Sequence, residues 1–363
     1  LLQNGLSISL CRRLLQCILR IEVHCFPNTD KARFLLLIAI IHIDMKRRII
    51  ISLLSLAAFA IVLTVVGSFY MLSYGLSNEN KRGGLDKWNK EAFLSKHPEA
   101  QHWIDSILTH HALRDTFLRT GVQDSLHVYY IHAKKPTHLV ALLVHGYKDN
   151  ALGMLHIGHM YANMGYNVVL PDLHGHGASS GDDIQMGWKD RTDVQRSAAF
   201  ADSIFHTNRV HIAMVLHGIS MGAATVMCVS GEQTPPFVRC FVEDCGYTSV
   251  WDEFKTQLRE KFSLPPFPLL YTTSALCKLR YGWTFGEASP ISQLAKSHKP
   301  MLFIHGSADT YVPFPMVYKL YKAKPAPKEL WVTRGSKHAK SYQDHRVAYT
   351  NHVKTFLARY MSK

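Results

Sequence analysis

Apolar and polar positions change rhythm along this 363-residue chain, and each change predicts a different element. No charged side chain occurs from Ile49 to Asn78, and Ile49–Phe69 is a mostly apolar run that matches the roughly 20 residues a bilayer-spanning helix needs. A signal-anchor or transmembrane helix is therefore expected over residues 45–76. The run exceeds the roughly 7–15 residues of a secretory signal core and no A-x-A-like site follows closely, which favours an uncleaved anchor over secretion after signal cleavage. Met45 is the first methionine and opens the basic triplet Lys46, Arg47 and Arg48, so residues 1–44 read as an upstream extension of the frame. By the positive-inside rule the triplet stays in the cytoplasm and the rest of the chain, 77–363, is extracytoplasmic on a single-pass anchor.

Beyond the polar linker Ser77–Leu85, the segment Pro98–Leu118 carries Trp103, Ile104, Ile107 and Leu108 on one helical face. The rhythm then alternates. Strand-like runs at Leu126–Ile131, Leu139–Val144, Val168–Leu170, Ile212–Leu216, Val238–Val242, Met301–Ile304 and Leu330–Val332 are separated by helix-length amphipathic segments. This pattern predicts an α/β fold, a mostly parallel central sheet with helices on both faces. Leu139–Val144, Ile212–Leu216 and Met301–Ile304 are almost wholly apolar, as strands buried on both faces are. Each ends in His-Gly: His145-Gly146, His217-Gly218 and His305-Gly306. Between Asp244 and Lys299 the alternation breaks for a stretch rich in aromatics and proline, longer than ordinary connections; it reads as a helical cap insertion over about 248–290.

Composition narrows the function. The chain is 47% hydrophobic and 19% charged, enough to build a core, and its net charge is +14. Part of that charge lies before residue 85, and the remainder is spread without a run of five like charges, which argues against nucleic acid as a partner. Cys228, Cys240, Cys245 and Cys277 in the folded part form no C-x-x-C pair and read as buried thiols rather than a disulfide framework. His110-His111 and His174/His176 lack the spacing and partners of a zinc site, and Gly175, Gly177 and Gly181 do not make a phosphate loop, so no metal and no cofactor is expected.

The chemistry is carried by Gly218-Ile219-Ser220-Met221-Gly222, a G-x-S-x-G that follows a buried strand and opens a small-residue helix. A nucleophile on so sharp a turn needs small neighbours, and the helix start offers amides to an oxyanion. Serine also needs a base, and the base an orienting carboxylate. Asp309 follows the strand Met301–Ile304 and His338 follows Leu330–Val332, placing both on the same rim as Ser220 and in the order serine, acid, histidine. Asp244, at the end of Val238–Val242, is an alternative acid or a contact for the cap, and Asp172 reads as a structural residue of its loop.

These motifs, with Val144-His145-Gly146-Tyr147 and with Leu170-Pro171-Asp172 leading into His174-Gly175-His176-Gly177-Ala178-Ser179-Ser180-Gly181, give a chain that resembles the α/β-hydrolase superfamily over about residues 100–360. The resemblance is to bacterial serine hydrolases of the prolyl oligopeptidase and serine aminopeptidase branches, although His174 stands where many relatives carry arginine. It implies the α/β-hydrolase fold, Ser220 as nucleophile, Asp309 as acid, His338 as base, and the backbone N–H groups of Tyr147 and Met221 as oxyanion hole. The implied substrate is a small-molecule ester or a short peptide, with the membrane as partner through the N-terminal helix. Ester hydrolysis is the first expectation and a peptidase the second. Acyl transfer, or an inactive binding protein on the same fold, ranks below both.

Overall fold

The computed structural model describes residues 29–78, 83–122, 124–206 and 211–361. Most of the proposed 1–44 extension, with Cys11, Cys17 and Cys25, lies outside the described residues. The chain divides into two units, residues 1–64 and 65–363.

The first unit is helical where described. Helix α1 runs from Thr29 to Leu76, so it begins well before the 45–76 span expected from the apolar run. Phe34–Ile43 is apolar enough to continue the helix, and Arg48 reaches back one turn to Asp44 at 3.0 Å, so the charged patch does not interrupt it. Apolar side chains from Phe34 to Val62 are exposed on all faces. It is the one helix among the described residues long and apolar enough to cross a membrane.

The second unit contains the last turns of α1 and then α2 (Lys90–Leu94), α3 (Gln101–Thr109), β1 (Arg114–Arg119), β2 (Ser125–Ile131), β3 (Leu139–Val144), α4 (Leu155–Asn163), β4 (Asn167–Pro171), α5 (Asp190–Phe205), β5 (Ala213–Ile219), α6 (Met221–Ser230) and β6 (Val238–Asp244). It continues with α7 (Val250–Phe262), α8 (Leu269–Tyr281), α9 (Pro290–Leu294), β7 (Met301–Gly306), α10 (Pro315–Ala323), β8 (Lys328–Thr333), α11 (Ser341–Asp344) and α12 (Arg346–Tyr360). The eight strands form one sheet in the order β1-β2-β4-β3-β5-β6-β7-β8, antiparallel through β1, β2 and β4 and parallel from β4 onward. This is the α/β-hydrolase architecture.

One sequence expectation fails here. The helical face traced over Pro98–Leu118 stops at Thr109, and Arg114–Arg119 is an antiparallel edge strand. Its alternating exposed and half-buried side chains, with arginine at both ends, suit a sheet edge, and so short a charged strand is hard to distinguish from a helix tail by periodicity alone.

The pleat sorts side chains into two cores. Val140, Leu142 and Val144 of β3 enter the core beneath α5 and α6, while Ala141 and Leu143 enter the core beneath α3, α4 and α12. With apolar residues needed on both faces, the central strands have no polar alternation, which is why they were legible as continuous apolar runs. The last turns of α1 belong to the first of these cores: Leu72 and Leu76 are fully buried, each contributing on the order of 1.5–3 kcal/mol relative to exposure. Ile184 N–H donates to Leu76 O at 2.7 Å and closes the helix end.

Candidate active site

The serine is placed by a steric constraint. Ser220 sits between β5 and α6 with φ 58° and ψ −117°, a left-handed backbone that non-glycine residues tolerate only where the surroundings enforce it. A side chain at Gly218 would strike Gly222 O, and one at Gly222 would strike Val144 O. The elbow therefore turns as sharply as it does because both flanking positions lack Cβ. We expect Gly222→Val to abolish accumulation of folded protein, since neither backbone wall can yield; unchanged expression and melting temperature would contradict the elbow's packing.

Ser220 N–H donates to Asp244 O at 2.8 Å, which fixes the elbow to the end of β6. The serine hydroxyl meets His338 Nε2 at 2.8 Å, and His338 Nδ1 meets Asp309 Oδ2 at 2.7 Å. Asp309 is held in turn by the N–H groups of Tyr311 and Val312, both at 3.0 Å from Oδ1. Burial alone would raise its pKa, but hydrogen bonds from His305 and His338 outweigh it and hold the carboxyl below the usual range. Asp309 is thus an anion oriented toward His338. The amides of Tyr147 and Met221 lie on the same rim, at the end of β3 and the start of α6, and have no acceptor among the described residues.

The carboxyl of Asp244 has a different partner. Its Oδ2 accepts from Tyr349 Oη of α12 at 3.0 Å, and burial pushes its carboxyl up to about 6. The alternative of Asp244 as the acid or as a cap contact finds no hydrogen bond to His338 or to the cap; its partner is the C-terminal helix. Asp172 is a clamp for its loop, accepting from Ala151 N at 2.7 Å, Ala178 N at 3.1 Å and His127 Nδ1 at 2.8 Å.

The three strand-end histidines divide by role. His145 joins β3 to the Leu173 amide at 3.1 Å, and His217 lies between the hydroxyls of Tyr161 and Tyr349 at 3.1 and 2.9 Å, buried so fully that its pKa falls to about 3. His305 alone reaches the site, its Nε2 lying 3.3 Å from Asp309 Oδ2. Cys245, Asp309 and His338 bring ligand-type atoms within 4.8 Å of one another, but burial lifts the Cys245 thiol far above its ordinary pKa, and a protonated thiol is a poor metal ligand.

Two cavities flank Ser220, each of about 300 Å³. One is walled by Met71, Phe254, Leu258, Leu270 and Phe285 and is apolar; the other is lined by His97, Asp149, His156, Lys340, Tyr342 and Gln343. The cap helices α7 and α8 form the roof of the first. Helix α7 is capped by Ser249 Oγ on Asp252 N at 3.0 Å, and its Gln257 donates to Tyr311 O at 2.9 Å, fastening the cap to the acid loop. Glu253 lies in the same wall. Burial pushes its carboxyl up to about 8, against a hydrogen bond from Gln257, so at neutral pH it is mostly protonated and leaves the cavity uncharged there.

Several of these residues escaped the sequence reading. Glu253 carried a usable signal, being a lone acid on the stripe Val250, Phe254 and Leu258 at helical spacing. Tyr311, whose ring lies 4.9 Å from His338, and the cavity residues of α1 carried none, because nothing in the sequence of a membrane-type helix distinguishes a pocket wall from a lipid-facing side.

The sheet, the elbow and the rim together define a serine hydrolase of the α/β-hydrolase fold. The chain belongs to the prolyl oligopeptidase family, whose model matches residues 154–363, and it is accordingly a hydrolase of ester or peptide bonds. It is 31% identical over 217 residues to the uncharacterized protein YqkD of Bacillus subtilis, covering 60% of this chain and 70% of that one. Identity to the uncharacterized protein YfhR of Escherichia coli O157:H7 is 25%, over 53% of this chain and 60% of that protein. Among solved structures, an esterase of Pyrococcus furiosus superposes with TM-score 0.54 at 22% identity, covering 69% of this chain and 93% of the esterase. An acylaminoacyl peptidase of Pyrococcus horikoshii gives 0.52 at 18%, covering 70% of this chain and 43% of the peptidase. At such identities these two structures carry the likeness of fold.

Proposed function

We propose that this protein is a membrane-anchored serine esterase that works through an acyl-enzyme. Ser220 Oγ attacks the ester carbonyl while His338 Nε2 takes its proton. Asp309 holds the imidazole in the required tautomer and stabilises the imidazolium. The amides of Tyr147 and Met221 receive the developing oxyanion, a contribution of about 2.7–4 kcal/mol per donor in such sites. His338 then protonates the departing alcohol, and water, deprotonated by the same histidine, releases the acid. The observation that carries this reading is the Ser220, His338 and Asp309 hydrogen-bond series, at 2.8 and 2.7 Å, lying between an apolar and a polar cavity. An apolar acyl side and a polar alcohol side suit an ester better than a peptide, whose two sides are both polar backbone.

The anchor is α1. At 1.5 Å per residue it is about 72 Å long, more than twice the roughly 30 Å hydrocarbon core, so a bilayer takes only part of it. Lys46, Arg47 and Arg48 remain cytoplasmic by the positive-inside rule, with the hydrolase unit on the extracytoplasmic side.

The test is a substrate panel with the full chain in detergent: p-nitrophenyl esters from acetyl to decanoyl beside aminoacyl and prolyl arylamides. Turnover of esters with arylamides untouched is the expected result. Turnover confined to arylamides would replace the esterase with a peptidase.

A further inference from the structure

We propose that the last turns of α1, Val65–Leu76, are a working wall of the acyl pocket, and that the substrate is an ester joining one long aliphatic chain to a small polar alcohol. The inference rests on the esterase reading and names its substrate class.

The apolar cavity is closed on one side by Met71, Tyr74 and Gly75 of α1 and on the other by α7 and α8. These elements are fitted closely together. A Cβ on Gly75 would stand 3.3 Å from the Phe254 ring, and one on Gly67 would stand 3.2 Å from Leu269 Cδ1. Ser68 Oγ and Thr272 Oγ1 are 2.6 Å apart, and the Tyr74 ring meets Phe262 edge-on at 5.4 Å. Tyr147 Oη donates to Gly75 O at 2.9 Å, so the residue whose amide faces the oxyanion also braces the helix end. A tether that served only to hold the enzyme near a membrane would need none of these contacts. Each joins a residue of α1, which precedes the family match, to a residue within it or to Tyr147 on the rim.

The tetrahedral centre on Ser220 has one substituent for each cavity. The apolar side rewards every methylene it buries, by about four-fold in affinity; Lys261 also lines this cavity, as a solvent-exposed residue whose Nζ lies 5.9 and 5.3 Å from the Tyr74 and Tyr311 ring centres. His97, Lys340, Tyr342 and Gln343 on the opposite side offer hydrogen-bonding groups to an alcohol and its substituents.

The experiment uses the full chain reconstituted in phosphatidylcholine vesicles. It compares kcat/KM for p-nitrophenyl acetate, butyrate, octanoate and decanoate in wild type, Gly75→Leu, Met71→Trp and Met71→Ala. Wild type is expected to prefer the longer chains. Gly75→Leu and Met71→Trp, which fill the cavity from α1, should lower the decanoate-to-acetate ratio at least ten-fold, whereas Met71→Ala should shift the optimum to longer chains. The enlarging variant keeps the test valid should a filling variant fail to fold. Fluorophosphonate labelling of Ser220 is read in the same samples: labelled variants with the wild-type chain-length profile overturn the pocket assignment alone, while an unlabelled wild type overturns the esterase reading beneath it. Monodecanoylglycerol, supplied in the protein's own vesicles or as soluble monomer, distinguishes a membrane lipid from a soluble ester as the source of the chain.

Discussion

Ser220→Ala is expected to lower kcat for ester hydrolysis by about 10⁴- to 10⁶-fold, His338→Ala to lower it comparably, and the double variant to be little worse than either. The non-additivity follows from the geometry. Ser220 Oγ and His338 Nε2 lie 2.8 Å apart and act as one unit, so once the hydroxyl is gone the imidazole has no proton to take. On the proposed mechanism, what survives is the residual rate given by binding and by the amides of Tyr147 and Met221. Steady-state kinetics on a p-nitrophenyl ester checks this, with circular dichroism to show that the variants remain folded. A single variant retaining a tenth of wild-type kcat would mean that this serine is not the nucleophile.

Asp309→Asn is expected to cost about 10⁴-fold in kcat, with a far smaller effect on KM. An asparagine can turn its amide nitrogen toward His338 Nδ1, which then carries no proton; the proton moves to Nε2, and the ring can no longer accept from Ser220. Asp244→Asn is the control. Its carboxyl bonds Tyr349 at 3.0 Å, and an asparagine oxygen there still accepts, so the loss is at most that of an ordinary hydrogen bond, about 1 kcal/mol of stability, with kcat within a few-fold of wild type. Comparing the two variants on one substrate decides which carboxylate orients the base. The reverse order of effects would give the role to Asp244.

The parts of the molecule legible in its sequence are those where one local constraint admits few residues. Strands buried on both faces must be apolar throughout, so β3, β5 and β7 could be read from composition alone. The elbow tolerates no Cβ at Gly218 or Gly222, and that requirement is written as a motif. Ser220, Asp309 and His338 could be nominated together because strand ends fix the rim on which they lie. Other features depend on what packs from a distance. The edge strand Arg114–Arg119 has charged ends that fit a helix tail as well as a sheet border. His305 shares its His-Gly setting with His145 and His217, and only tertiary structure sets it 3.3 Å from Asp309. The end of α1 is the clearest case. Leu72 and Leu76 are as apolar as their exposed neighbours Leu54 and Leu56, and their burial depends on the core of the second unit, which a periodicity count cannot see.

Whether Ser220 is an activated nucleophile is decided by treating the 363-residue chain with a fluorophosphonate and locating the adduct by peptide mass spectrometry. One phosphonylated residue, Ser220, is expected, with labelling lost in His338→Ala because the hydroxyl no longer has its base. Labelling at another serine, or labelling of Ser220 undiminished without His338, would contradict it.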